Sequence, residues 1–149
     1  MLALHIALMS IALTMGCASH PDGRSSSTVT ASSVGSHASL GQDFELRIGE
    51  TVEIDGEPLV VTFERVVEDS RCPTNVTCVW AGDAVVRIRL QGAKAEAGTL
   101  DLHTQSDANR EGGFERYRVR LVQLLPAPQD SGGIPPERYV ATLIVVRTE

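Results

Sequence analysis

From Asp43 onward the chain alternates apolar and polar residues with a period of two, and no helical period of 3.6 competes with it. The segment 43–48 (DFELRI) sets Phe44, Leu46 and Ile48 on one face and Asp43, Glu45 and Arg47 on the other. A Gly49-Glu50 turn leads into 51–54 (TVEI), and the Asp55-Gly56 pair marks the next turn. Further strands are expected at 59–67 (LVVTFERVV), 84–90 (AVVRIRL), 99–104 (TLDLHT), 114–125 (FERYRVRLVQLL) and 138–147 (RYVATLIVVR). In the fourth of the seven, Ala84, Val86, Ile88 and Leu90 point inward and Val85, Arg87 and Arg89 outward. The last is apolar on both faces, the pattern of a central or doubly covered strand. Seven short strands with a turn every 8–12 residues predict an all-β fold, a single antiparallel sandwich or small barrel.

The pattern changes abruptly before Asp43. Residues 2–15 are almost wholly apolar, followed by Gly16 and Cys17. About 14 residues is short for a bilayer span and fits the apolar region of an export signal. A cysteine directly after such a segment resembles the lipobox of bacterial lipoproteins, here with Thr14 three places before it and Leu13 one place earlier. That resemblance implies a signal peptide at 1–16, cleavage before Cys17, a lipid on Cys17, and a bacterial cell-envelope location facing the periplasm or exterior. Residues 18–42 contain eight serines and almost no large apolar side chain. Such a composition cannot bury enough surface to order itself, so 17–42 is expected to be a flexible tether with a reach of roughly 27 Å. The β-domain is then 43–149, a length that can bury roughly 60–70% of its unfolded surface.

Charge narrows the partners. The net charge is −6, with twelve arginines and one lysine, Lys94, and an acidic balance argues against nucleic acid. All three methionines lie in the signal, so the exported part has no thioether ligand for copper. No cofactor or metal is expected.

If Cys17 takes a lipid, Cys72 and Cys78 remain as a pair in an oxidising compartment. Their Cys-x5-Cys spacing fits neither structural zinc nor a Cys-x-x-Cys redox motif. A disulfide closing this seven-residue loop stabilises by about 2.4 kcal/mol through loop-closure entropy. Trp80 follows two residues after Cys78 and on a strand would point the same way, packed over the bridge as a cap on the core. The alternative is an exposed aromatic anchor for a partner. Residues 68–84 (EDSRCPTNVTCVWAGDA) also resemble a recurring segment of small exported bacterial proteins: Asp69 to Pro73, Val76, Cys78, Trp80, Ala81 and Gly82 are the matching positions. That resemblance implies a shared β-domain and no activity.

Strictly antiparallel succession would place the loop 69–82 and the loop 105–113 at one end of the domain, with 91–98 and the proline-rich 126–137 at the other. Asp69, Arg71, Trp80 and Asp83 on the first loop, with Asp107 and Arg110 on the second, are therefore the candidate partner-binding residues. Arg71 is expected either to pair at the surface with Asp83 or Glu68, or to project from a rigid loop into a partner's cleft. The outward arginines Arg87, Arg89, Arg116, Arg118 and Arg120 are expected to pair across strands with Glu45, Asp101 or Glu115, a phosphate- or sulfate-bearing ligand being the other reading. Catalysis finds no support: the β-domain's one histidine, His103, shares an outer face with Asp101, and no G-x-S-x-G, H-E-x-x-H or phosphate-binding glycine loop is present.

These features point to a non-enzymatic envelope lipoprotein, a tethered β-sandwich whose partner is another envelope protein or an exported enzyme. The alternative is an inhibitor of an exported protease or lysozyme acting through the Arg71 loop. Radiolabelled palmitate is expected to enter the wild-type chain in its native host, and Cys17→Ser to abolish labelling and move the protein from the membrane to the soluble fraction. Unlabelled wild type, or a membrane-bound Cys17→Ser, would remove the lipid from the picture.

Overall fold

A computed structural model describes residues 36–94, 97–129 and 132–149. The expected signal at 1–16, the lipid site at Cys17 and the tether up to residue 35 lie outside the described residues. Among the described residues there are nine strands: β1 (Ser36–Ala38), β2 (Asp43–Arg47), β3 (Thr51–Ile54), β4 (Val60–Asp69), β5 (Ala84–Gln91), β6 (Ala97–His103), β7 (Glu111–Phe114), β8 (Tyr117–Leu125) and β9 (Val140–Arg147). One 3-10 turn at Pro136–Arg138 precedes β9. The strands form a five-stranded sheet ordered β1-β3-β4-β5-β6 and a four-stranded sheet ordered β2-β9-β8-β7, packed as an open sandwich. All pairings are antiparallel except β1 with β3.

The alternation read from the sequence builds the core. Val61 and Phe63 on β4 and Ala84, Val86, Ile88 and Leu90 on β5 are fully buried from one sheet. Val119 and Leu121 on β8 and Ala141, Leu143 and Val145 on β9 are buried from the other. Each large aliphatic or aromatic side chain so buried contributes about 1.5–3 kcal/mol. The doubly apolar segment is indeed the interior strand β9, between β2 and β8.

Two expectations are corrected. First, order begins inside the stretch read as tether: β1 pairs Ser36–Ala38 with Val52–Ile54, and His37, on β1, lies 3.3 Å from Asp55. Ala38 is buried there and Leu40 packs against the core, so two apolar side chains and a borrowed sheet edge order this segment. Second, 114–125 is not one strand. Phe114 pairs with Tyr117 across a two-residue turn in which Glu115 has φ 51°, and Glu111–Phe114 becomes β7. No glycine or Asn-Gly pair marks this reversal, so the composition hid it. The extra strand inverts the loop parity. The disulfide loop, the β6–β7 loop (now 104–110) and the proline-rich loop all share one end, and Lys94 donates its backbone N–H to Glu115 at the other.

β-Bulges explain the remaining breaks in alternation. One between Leu121 and Gln123 moves the inward set of β8 from Leu121 to Leu124 and leaves Val122 outside. Two in β4 leave Val67 exposed and set Asp69 opposite the buried Ala84. Close packing covers the edge where the sheets meet: a Cβ on Gly98 would lie 2.5 Å from the Phe114 ring.

The end opposite the disulfide is joined by Glu57, in the β3–β4 turn, whose side chain is only 4% exposed. Its Oε2 accepts from Tyr117 Oη at 2.7 Å and from Arg116 Nη2 at 3.5 Å, and its Oε1 accepts from Arg147 Nη2. One carboxylate of the first sheet thus ties down β8 and β9 of the second. Tyr117→Phe is expected to cost about 1.5–3 kcal/mol, because it removes a hydrogen bond to a buried charge. Arg116→Ala and Arg147→Ala, whose side chains are half exposed, are each expected to cost about 1 kcal/mol or less. Urea denaturation of the three variants checks the order; equal costs would show that Glu57 is not held chiefly by the tyrosine.

Candidate functional site

The disulfide loop is built on Asp69. At the end of β4 this carboxylate faces between the sheets and is 10% exposed, the Arg71 side chain 14%. Arg71 reaches back in a fork, Nε donating to Oδ1 at 2.8 Å and Nη2 to Oδ2 at 2.6 Å, while its backbone N–H reaches Oδ1 at 3.2 Å. Tyr139 Oη donates to Oδ2 at 2.9 Å. The same guanidinium donates onward to the carbonyls of Leu124 (2.7 Å) and Pro126 (2.9 Å), at the end of β8 and just after it. Planar fork geometry lets one side chain satisfy a carboxylate and two carbonyls at once. Burial pushes the Asp69 carboxyl up, but the hydrogen bonds from Arg71 and Tyr139 outweigh it and hold it below the usual carboxylate range. Burial, with the neighbouring Asp69 carboxylate, pushes the Tyr139 phenol up to about 12.

Arg71 therefore points into the protein and not into a partner's cleft; its partner is Asp69, in place of the expected Asp83 or Glu68. The parity inversion made this possible, because it brings the proline-rich loop beneath the disulfide loop. Thr74 donates its backbone N–H to Pro128 O at 2.9 Å, and a cleft of about 180 Å³ between the loops is lined by Asp69, Arg71, Pro73, Pro128, Ile134 and Tyr139.

Above this base the loop is cross-braced. Cys72 and Cys78 are disulfide-bonded with Cα atoms 6.0 Å apart. Ser70 N–H donates to Asp83 O at 2.7 Å and Cys72 N–H to Ala81 O at 2.9 Å. Gly82 is required: its φ is +69°, and a Cβ would fall 1.8 Å from Ser70 O. Trp80 does not cap the core. It is 83% exposed, Val79 beside it is 90% exposed, and Val76 is exposed as well. Pro73 to Gly82 carries no ionisable side chain, so the tip is an uncharged, apolar projection.

Asp83, at the root of β5, is also used internally. Its Oδ1 accepts from the backbone N–H and the hydroxyl of Thr104 and from Gln105 N–H, each at 2.9 Å, and its Oδ2 lies 2.5 Å from His103 Nδ1. Partial burial pushes its carboxyl up, and the bonds from His103, Gln105 and Thr104 outweigh this and lower it. Asp83 thus ties the disulfide loop to the β6–β7 loop. There Arg110 donates through Nη2 to Thr104 O, and its Nε lies 3.8 Å from the exposed Asp107. Of the six candidates, Asp69, Arg71 and Asp83 hold the loops in place, Trp80 projects, and Asp107 and Arg110 lie on the β6–β7 loop. Tyr139 and His103 escaped sequence reading because their partners lie 70 and 20 residues away.

Four arginines of the stripe are paired, Arg87 with the expected Asp101 and the other three with acids the sequence did not indicate. Arg87 is bidentate to Asp101 at 2.7 and 2.6 Å, Arg89 meets Glu64 at 3.2 Å, Arg118 meets Glu111 at 2.7 Å, and Arg116 meets Glu57. Glu45 and Glu115 are not the partners: Arg87 and Asp101 face each other in register, whereas Arg118 reaches diagonally to Glu111, whose register partner is Arg120. Among the described residues no group of three or more His, Cys, Asp or Glu side chains could hold a metal ion, and no helix is long and apolar enough to cross a membrane. The chain matches no family model, no curated protein and no solved structure.

Because Tyr139 keeps its proton in the fold up to about 12 against an ordinary 10.0, its contribution to stability is complete below pH 10 and is lost as pH rises toward 12. Asp69 acts at the other extreme: its lowered value means a contribution present above pH 3.8 and lost as pH falls below it. Alkaline phenolate titration is expected to show a late component that Tyr139→Phe removes. A late component whose amplitude Tyr139→Phe leaves undiminished would contradict the Asp69–Tyr139 bond.

Proposed function

We propose that this protein is a non-enzymatic interaction module of the bacterial cell envelope. It is carried on a lipid at Cys17 and engages a protein partner through the Val79–Trp80 tip of its disulfide loop. The observation that carries this reading is the exposure of two adjacent large apolar side chains, 90% and 83%, on a loop braced by a disulfide and by the Asp69–Arg71–Tyr139 bonds. Leaving a tryptophan in water forgoes about 1.5–3 kcal/mol of burial that a partner's pocket would return. Rigid aromatic anchors of this kind dominate binding energy at protein interfaces, because little conformational entropy is lost when they dock. The apolar N-terminal segment, Gly16-Cys17 and the serine-rich stretch supply the envelope address, and the cleft beneath the loop offers charges that are already mutually neutralised.

Photocrosslinking from position 80 in intact envelopes should capture a partner, and Trp80→Ala and Val79→Ser should each weaken its binding by about 2 kcal/mol. Both variants should leave the unfolding free energy within about 0.5 kcal/mol of wild type, since neither side chain packs against the domain. A tip variant that loses stability instead of binding would show the tip to be structural, and an envelope crosslink that Trp80→Ala leaves undiminished would remove the tip as the site.

A further inference from the structure

The four-stranded sheet buries one face and leaves the other open. On that open face β9 presents Val140, Thr142, Ile144 and Val146, and β8 adds Val122 and Leu125; Val122, Leu125 and Val146 are each just under two-fifths exposed and the others partly so. Register sets the surroundings of this stripe. Asp43 on β2, Ile144 on β9 and Arg120 on β8 lie in one row across the sheet. The next rows are Glu45, Thr142 and Gln123, then Arg47, Val140 and Leu125. Among the described residues, neither Asp43 nor Arg120 has a side-chain hydrogen bond or ion pair, although Arg118 and Glu111 beside Arg120 pair with each other at 2.7 Å. Completed by Glu111 of β7, which faces Arg120 in register but gives its carboxylate to Arg118, the row reads unpaired anion, aliphatic side chain, unpaired cation and engaged anion, with neighbouring strands about 4.8 Å apart.

We infer that two copies of this chain pair face to face across the open surface of β2, β9 and β8, about a two-fold axis running along β9. A second copy turned about that axis sets its Arg120 over Asp43 and its Asp43 over Arg120, closing the same ion pair twice. The other rows are compatible: Glu45 meets Gln123, and the aliphatic stem of Arg47 covers Leu125. A two-fold axis perpendicular to the strands would instead set Asp43 over Asp43 and Arg120 over Arg120, and like charges opposed at an interface cost several kcal/mol. Charge order therefore selects both the occupant and its orientation. Strands of the two copies run nearly aligned, as in ordinary packing of sheet on sheet at about 10 Å. Because the axis follows the strands, both disulfide tips emerge at the same end, giving a pair of Trp80 anchors that a repetitive or dimeric partner would meet bivalently.

Sedimentation equilibrium of the full-length chain in a non-ionic detergent tests the pairing. Wild type is expected to dimerise, and Asp43→Arg or Arg120→Asp alone to weaken the dimer about tenfold or more by opposing like charges. The double variant Asp43→Arg/Arg120→Asp restores the complement and is expected to recover most of the lost affinity. Circular dichroism confirms that these surface variants keep the fold. A monomeric wild type, self-association that neither single variant weakens, or a double variant no better than the singles overturns the inference. Trp80→Ala leaves the dimer unchanged if the inference holds, so failure of the tip as a docking site and failure of the dimer are read separately.

Discussion

The Asp69 carboxylate is the point on which the loop-bearing end of this sandwich depends. It sits where β4 leaves the core, its side chain 10% exposed at the cleft between the loops and bonded to Tyr139, which leads into the second sheet. Arg71, two residues along, neutralises it, and the same guanidinium also holds the carbonyls of Leu124, at the end of β8, and Pro126, just after it. Tyr139 adds the start of β9. Removing any one member would leave a buried charge or a buried carbonyl without its partner, which costs more than the intact cluster contributes. The disulfide then braces a loop whose base is already fixed.

Glu57 repeats this arrangement at the opposite end with Tyr117, Arg116 and Arg147. In each case a carboxylate of the five-stranded sheet takes a tyrosine hydroxyl and a guanidinium that belong to, or bond with, the four-stranded one. The apolar core between them is non-directional and sets no unique relative position for the two sheets; directional bonds to charged groups at both ends do. A base fixed in this way is what allows Val79 and Trp80 to stand in water. A floppy loop of the same composition would fold its tryptophan back onto the nearest apolar surface.

The two surfaces proposed for contact differ in kind. The tip is apolar, uncharged and small, suited to insertion into a pocket. The open face of β2, β9 and β8 is broad and edged by charges of opposite sign, suited to a matching sheet face. A segment apolar on both sides, as β9 is, gains by cover on both sides, and the sandwich supplies only one.

The sequence by itself determined the all-β class, the inward faces of β4, β5 and β9, the interior position of β9 and the Cys72–Cys78 bridge. All of these follow from period-two alternation or from cysteine count and spacing, which are local. It did not reveal the reversal at Glu115-Arg116, because no turn residue announces it, and that one omission misplaced the proline-rich loop. Arg71 consequently read as a surface cation, paired with Asp83 or Glu68 or projecting into a partner's cleft, when Asp69 and the carbonyls of Leu124 and Pro126 hold it inside. Trp80 read as a cap because strand geometry was extended past Cys78, where the chain has already left the sheet. Only the tertiary structure decided which charges meet, since pairs such as Tyr139 with Asp69 and Glu57 with Tyr117 join residues 70 and 60 apart. The packing of one sheet on the other brings such pairs together, and composition carries no record of it.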